Sequence, residues 1–137
     1  MPDRQVNYLN PEGACRPDGL CSHIGKVDSG PLALIGGQLA VDAGGNIVGI
    51  CDFDAQFAQV FENLGAILNG LGANFNHVVK FTTYLVESYD VDKFMRAQAA
   101  LFPRLFANDS YPPNTVLIVH SLVKEEFLIE VEAVVRV

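Results

Sequence analysis

Two stretches of the chain place apolar residues at every third or fourth position, which is the spacing of one face of an amphipathic helix. The first begins after Asp52, a favourable N-cap residue, and ends at Gly70 and Gly72. The second begins with Asp90 as its predicted N-cap, and Pro103 interrupts or tightens its last turn. The apolar positions are Phe53, Phe57, Val60, Leu64, Ile67, Leu68 and Leu71 in the first helix and Val91, Phe94, Met95, Leu101 and Leu105 in the second.

Runs of β-branched and aromatic residues predict the strands. After a short extended piece near residues 6–9, the predicted strands are residues 24–27, 32–41, 47–50, 78–86, 115–119 and 127–137. Residues 42–46 have the Asp, Asn and glycine residues of a hairpin turn, so residues 47–50 would be a return strand. Gly36 and Gly37 interrupt the strand before that turn, where paired glycines favour a bulge or a close approach by backbone or ligand.

The order of these elements, βββαβαββ, predicts an α+β fold in which one mixed sheet carries both helices on one face. In the last strand, alternate residues from Ile129 to Val137 are apolar and can pack on the helices. The opposite set mixes apolar and charged side chains, namely Leu128, Glu130, Glu132, Val134 and Arg136. Such a face is too apolar for full exposure and too charged for a monomer core, which favours a subunit interface that contains a polar site.

Composition supports self-association. Hydrophobic residues make up 50% of the 137 positions and charged residues 18%, against about 25% charged residues in an average soluble domain. This excludes a disordered chain, and the length favours a single domain over residues 1–137. No apolar run is long enough to span a membrane. The net charge of −7 and the scattered basic residues argue against a nucleic-acid partner.

The cysteines and the start of the chain indicate a reducing compartment. Residues 1–5 are polar and lack the apolar core of a signal peptide, so we expect a cytoplasmic protein. Three cysteines cannot all pair with one another, and Cys15, Cys21 and Cys51 are interpreted as free thiols. The spacing of Cys15, Cys21 and His23 matches no common zinc pattern, so no metal site is predicted.

Glu130 and Glu132 are the strongest candidates for chemistry that the residues alone provide. They lie two positions apart on one face of a strand, where neighbouring carboxylates raise one another's pKa and can supply a general acid or base. The alternative is a pair of solvated or salt-bridged carboxylates. His23 and His120 are isolated in the sequence and are interpreted as hydrogen-bonded structural histidines.

Five segments, in order, resemble the RidA/YjgF family, also called endoribonuclease L-PSP. They are LIGGQ at 34–38, NIVG at 46–49, QVFENL at 59–64, VVKFTTYL at 78–85 and IEVEAV at 129–134. The resemblance extends from about residue 22 to residue 137. It implies a chorismate-mutase-like fold, a homotrimer with clefts between subunits, and hydrolysis of reactive enamines and imines to 2-keto acids and ammonia. It implies no metal or organic cofactor.

The resemblance also assigns candidate site residues. Glu130 corresponds to the glutamate that positions water in the family, and the loop before it is one residue longer here. Gly36 and Gly37 correspond to a serine–glycine pair, and Cys21 stands where the family has a tyrosine. Tyr84, in the fourth matching segment, is added to the substrate-binding candidates.

The arginine that binds the substrate carboxylate in the family is replaced here. The family's Pro-Ala-Arg segment reads Pro112-Pro113-Asn114, so a neutral amide stands in place of a guanidinium fork. His23, placed beside the cleft by the same alignment, would replace part of the lost charge when protonated. This departure indicates a divergent branch of the family.

The residues and the family resemblance together suggest three alternative functions. In the first, Glu130 holds the attacking water and the Gly37 amide binds an oxygen of a small imine or carbonyl compound. In the second, suggested by Asn114, the trimer binds a small molecule or acts as a chaperone without catalysis. The endoribonuclease activity in the family's older label is the least favoured, because the chain is acidic and lacks a basic groove.

Overall fold

The computed structural model describes residues 6–137, in which a four-stranded mixed sheet carries two helices on one face. The sheet order is β3-β6-β4-β5, with β4 and β5 parallel and the other pairs antiparallel. The elements are β1 (Asn7–Leu9), β2 (Ile24–Lys26), β3 (Leu32–Gln38), α1 (Phe53–Gly70), β4 (Val78–Leu85), α2 (Asp90–Leu105), β5 (Asn114–Ile118) and β6 (Ile129–Arg136). The predicted α+β fold with the order βββαβαββ is confirmed.

Two of the three strands predicted before α1, at residues 24–27 and 32–41, form as β2 and β3, and the third does not. The expected return strand at residues 47–50 is reduced to one bridge between Val41 and Ile47, because Gly49 and Cys51 adopt positive φ and turn the chain into α1. The third strand is instead β1, which pairs with β2 in a small separate sheet. The polar residues 1–5 lie outside the described residues.

Of the two predicted N-cap residues, only Asp52 occupies the cap position of its helix. The Asp52 side chain accepts a hydrogen bond of 3.1 Å from the Ala55 amide and caps α1 as expected. For α2 the prediction is wrong, since Tyr89 occupies the cap position and makes no side-chain cap bond. The Asp90 amide bonds to the Glu87 carbonyl, which puts Asp90 inside the first turn, where its carboxylate is buried 3.5 Å from Lys93 Nζ.

A core of phenylalanine rings lies between the helices and the sheet. Phe61 from α1 contacts Phe81 from β4 and Phe102 from α2, with ring centroids 5.8 Å and 5.5 Å apart. The alternate residues of β6 from Ile129 to Val135 belong to the same core and are at most 4% exposed. The predicted helix-facing side of β6 is therefore confirmed.

The other face of the sheet is not covered by any helix of residues 6–137. Leu34 is 78% exposed and Leu32 51% exposed on this side. Strand register places the remaining side chains, because cross-strand partners share a face. We call this surface the open face, and its members on β3, β4 and β6 are Leu32, Leu34, Lys80, Thr82, Tyr84, Glu130, Glu132, Val134 and Arg136. No helix within residues 6–137 has the length and apolarity to cross a lipid bilayer.

Candidate functional site

A glycine bulge in β3 receives the Glu130 carboxylate. The register between β3 and β6 slips between Ile35 and Gln38, so Gly36 and Gly37 form the irregularity that paired glycines predicted. A Cβ added at Gly37 would overlap Glu130 Oε2 and would lie 2.7 Å from Glu130 Cδ, whereas one added at Gly36 would meet nothing within 4 Å. Only glycine at residue 37 therefore leaves room for the Glu130 carboxylate where it lies.

Tyr84 and Glu132 lie beside Glu130 on the open face. Tyr84 is the register partner of Glu130 across β4 and β6. Its hydroxyl donates a hydrogen bond of 2.5 Å to Glu132 Oε1. The structure thus brings together Gly37, Tyr84 and Glu130 with Glu132, the second carboxylate of the predicted pair.

The surroundings of this cluster change its acid–base behaviour. Burial, and then the negative charge of Glu132, raise the pKa of Glu130 above its usual range. The hydrogen bond to Glu132 is the main cause that raises the pKa of the Tyr84 phenol, followed by burial and the nearby carboxylates. A glutamate with a raised pKa exchanges a proton more readily near neutral pH, which suits acid–base chemistry.

Asn114 lies on the other side of the sheet. Its Oδ1 accepts a hydrogen bond of 2.9 Å from Thr83 Oγ1, and Thr83 is fully buried on the helix-facing side. Asn114 Nδ2 is buried and has no hydrogen-bond partner in residues 6–137. Within one chain, the structure therefore does not bring Asn114 to Glu130.

Cys21 and His23 occupy the loop before β2. The Cys21 thiol bonds to the Asp18 carbonyl at 3.3 Å, and burial followed by the charge of Asp18 raises its pKa, which disfavours the reactive thiolate. His23 Nε2 lies 2.5 Å from the Cys15 carbonyl, and its amide bonds to Asn10 Oδ1 at 2.8 Å. Both contacts hold His23 by hydrogen bonds to nearby residues, and its place beside a cleft stays a prediction.

This loop is anchored by Gln98, a residue that the sequence analysis did not single out. Gln98 is 3% exposed, and its side chain donates a hydrogen bond of 3.2 Å to the Leu20 carbonyl beside Cys21. The signal was a polar residue four positions after Phe94, on the apolar stripe of α2. A buried glutamine on such a stripe needs hydrogen-bond partners, so it marks a contact with a loop.

The candidate residues therefore form two groups. The Glu130 group contains Gly36, Gly37, Tyr84, Glu130 and Glu132. The Asn114 group contains Cys21, His23 and Asn114. Strand β2, which follows His23, runs close to the residue before Asn114, because a Cβ at Gly25 would lie 3.2 Å from Cδ of Pro113.

Comparison with known proteins identifies the family. The family model described as endoribonuclease L-PSP matches residues 16–137. The chain belongs to this family, also known as the Rid or RidA/YjgF family. The RutC family protein PH0854 of Pyrococcus horikoshii is 32% identical over 123 residues, which cover 90% of this chain and 91% of that protein.

Solved Rid structures share the fold of this Rid chain. The Rid family protein YyfB from Yersinia pestis, whose function is described as unknown, superposes with a TM-score of 0.85 at 30% identity and covers 97% of this chain and 99% of its own. RidA from Psychrobacter sp. superposes with a TM-score of 0.66 at 27% identity and covers 96% and 99%. The chorismate-mutase-like α+β fold is thereby confirmed.

The hollows of the Rid chain differ in chemistry. One of about 370 Å³ lies between α1 and α2, is mainly apolar and contains none of the candidate residues. A smaller one of about 170 Å³ lies on the open face and includes Lys80, Thr82 and Glu132. The second adjoins the titratable cluster, so it is the better place for chemistry despite its size. Residues 6–137 bring together no group of three or more His, Cys, Asp or Glu side chains suited to a metal ion.

Proposed function

We propose that this Rid chain hydrolyses a small reactive imine or enamine in clefts between the subunits of a homotrimer. The observation that carries the proposal is the Glu130 carboxylate, which sits against the Gly37 backbone with a raised pKa. A carboxyl group in this state can hold a water molecule and exchange protons with it. The Gly37 amide is the candidate donor for an oxygen of the substrate.

The proposed reaction needs only water and a proton shuttle. Protonated Glu130 donates its proton to the imine nitrogen while the water oxygen bonds to the imine carbon, and the resulting carboxylate takes a proton from that water. The carbon–nitrogen bond then breaks with its electron pair going to nitrogen. Glu130 again supplies a proton and recovers one from the hydroxyl group, so the products are a carbonyl compound and ammonia.

The division of the candidate residues into two groups supports a site between chains. The Glu130 group lies on the open face, whereas Asn114 lies on the edge strand β5 with its side chain on the helix side. A cleft between two copies can join the Glu130 group of one with the Asn114 group of the next. The exposed Leu32 and Leu34 and the apolar composition favour a covered open face.

Asn114 restricts the substrate. An amide lacks the charge with which an arginine binds a carboxylate through two hydrogen bonds. A substrate whose polar group is neutral therefore fits better than an amino-acid-derived imine. The same residue favours a second candidate function, in which the trimer binds a small molecule without turning it over.

Ammonia release tests the hydrolase. We expect the wild-type protein to accelerate hydrolysis of a neutral imine more than that of freshly generated 2-aminoacrylate. Glu130→Gln should lower this rate by about 100-fold or more, as is typical for removal of a general acid or base. Glu62→Gln, which removes an exposed carboxylate from α1, is the control. Rates equal to buffer with both substrates would exclude the hydrolase, and ligand-induced thermal shifts would then test the binding function.

Solution mass tests the assembly. Light scattering should give three times the 14.9 kDa of one chain. Leu34→Lys places a charge on the open face and should reduce that mass while the circular dichroism spectrum is retained. Ala99→Lys, at an exposed position of α2, should leave the mass unchanged. A wild-type mass near that of one chain would contradict the homotrimer.

A further inference from the structure

Glu132 lies two residues after Glu130 on the same face of β6 but has different partners. Its carboxylate accepts the 2.5 Å hydrogen bond from the Tyr84 hydroxyl. In the strand register, however, Tyr84 is opposite Glu130, and Glu132 is opposite Thr82. The phenol therefore reaches diagonally past its direct partner and stabilises the second carboxylate rather than the first.

The two carboxylates therefore have unequal surroundings. Glu132 accepts a hydrogen bond from the Tyr84 hydroxyl and borders the same hollow as Lys80. Glu130 is packed against the Gly37 backbone, where desolvation favours the neutral form. Two neighbouring carboxylates with unequal surroundings divide the roles of acid and base between them.

We propose that Glu132 is a positioning residue for Glu130: the Tyr84 hydroxyl fixes the Glu132 carboxylate beside Glu130, and the negative charge of Glu132 keeps a proton on Glu130. The inference rests on the proposed hydrolysis, because a protonated Glu130 begins that reaction. Tyr84 then acts through Glu132 and not by direct contact with the substrate.

The other charged groups on the sheet are compatible with this assignment. Strands β3 and β5, with the sequences LALIGGQ and NTVLI, contain no ionisable side chain. On β4, Lys80 makes no ion pair with Glu130 or Glu132 in the described part of the chain. On β6, the Arg136 guanidinium bonds to the Ser29 carbonyl at 2.5 Å, toward the end of the strand away from Glu130. Glu132 is thus the charge on β6 nearest in sequence to Glu130, and it contributes to the raised pKa of Glu130.

A titration followed by carboxyl carbon NMR tests the assignment without any substrate. Signals of Glu130 are identified by their loss in Glu130→Gln. In Glu132→Gln, the titration midpoint of Glu130 should move to lower pH, because the negative neighbour is gone. In Tyr84→Phe, the Glu132 carboxylate is no longer fixed beside Glu130, so the Glu130 midpoint should move in the same direction by a smaller amount. Glu62→Gln removes an equal charge from α1 and should leave the Glu130 midpoint unchanged. An unchanged midpoint in folded Glu132→Gln would overturn the proposal.

The pH profile of ammonia release provides the second measurement. The limb that reports deprotonation of Glu130 should move to lower pH in Glu132→Gln, in the same direction as the NMR midpoint. A profile that does not move while the NMR midpoint does would show that Glu132 has no part in the reaction. If the wild-type protein releases no ammonia, the proposed hydrolysis fails, and the NMR titration still decides whether Glu132 controls the proton of Glu130.

Discussion

The two faces of the sheet differ although they are formed by alternate residues of the same strands. On the helix side, Phe81, Ile129 and Val131 have no exposed surface and pack in the core. On the open face, Tyr84, Glu130 and Glu132 interact through hydrogen bonds and charge. Side chains on the helix side are thus held by close packing, whereas those on the open face are held by the interactions of a few polar groups.

The largest difference in stability between the faces is expected when neighbouring residues of β4 are replaced by alanine. Phe81→Ala removes a fully buried ring, which should lower the free energy of unfolding by about 3–5 kcal/mol. Thr82→Ala, one residue further and on the open face, should cost less than about 1 kcal/mol. Urea unfolding measures both values. Equal costs would mean that the open face is packed as tightly as the core.

A smaller difference is expected within the glycine bulge. Gly37→Ala forces the Glu130 carboxylate out of its position, and overpacking of this kind costs about 1–3 kcal/mol. Gly36→Ala meets no neighbour within 4 Å and should change the stability by less than about 0.5 kcal/mol. Thermal unfolding of the pair checks this. If both variants have the same stability, the contact between Glu130 and Gly37 has no energetic importance.

The helix side contains one polar contact that can be removed. Thr83→Val keeps the shape of the side chain but leaves Asn114 Oδ1 without its donor, which should cost about 1 kcal/mol. Thr115→Val, at an exposed position beside Asn114, serves as the control and should stay within about 0.5 kcal/mol of the wild type. A neutral Thr83→Val would show that Asn114 is not held on this side of the sheet.

The smallest expected effect is a pH dependence on the open face. Because the pKa of Glu130 is raised on folding, its contribution to stability is fully present below the unfolded pKa of about 4.3 and is lost as pH rises through the folded pKa. The glutamine side chain in the variant Glu130→Gln cannot ionise. The free energy of unfolding of Glu130→Gln, relative to that of the wild type, should therefore increase as the pH rises from about 4 to about 7. Urea unfolding at both pH values measures this gain, and a constant difference would contradict the raised pKa.

Much of the fold followed from local patterns. Helical spacing predicted both helices, and the alternation in residues 129–137 correctly predicted which side of β6 is buried. The start of α2 was predicted wrongly, since Asp90 is a strong N-cap type but is drawn inside the first turn by a bond to Glu87. The return strand at residues 47–50 was also wrong, because Gly49 and Cys51 end the extended chain early. Both errors occur at element boundaries, where a single backbone angle or hydrogen bond decides whether a strand continues or a helix begins.

Residue periodicity is enough to predict the helices, most of the strands, the buried side of β6 and the nearness of Glu130 and Glu132, because each depends on the fixed repeat of a helix or a strand. The contact of the Glu130 carboxylate with Gly37, and the bond from Tyr84 to Glu132 rather than to its direct partner, emerge only when the strands pair. The tertiary structure also places Asn114 across the sheet from Glu130. These contacts join residues distant in the chain, and they depend on strand order and register, which periodicity does not specify.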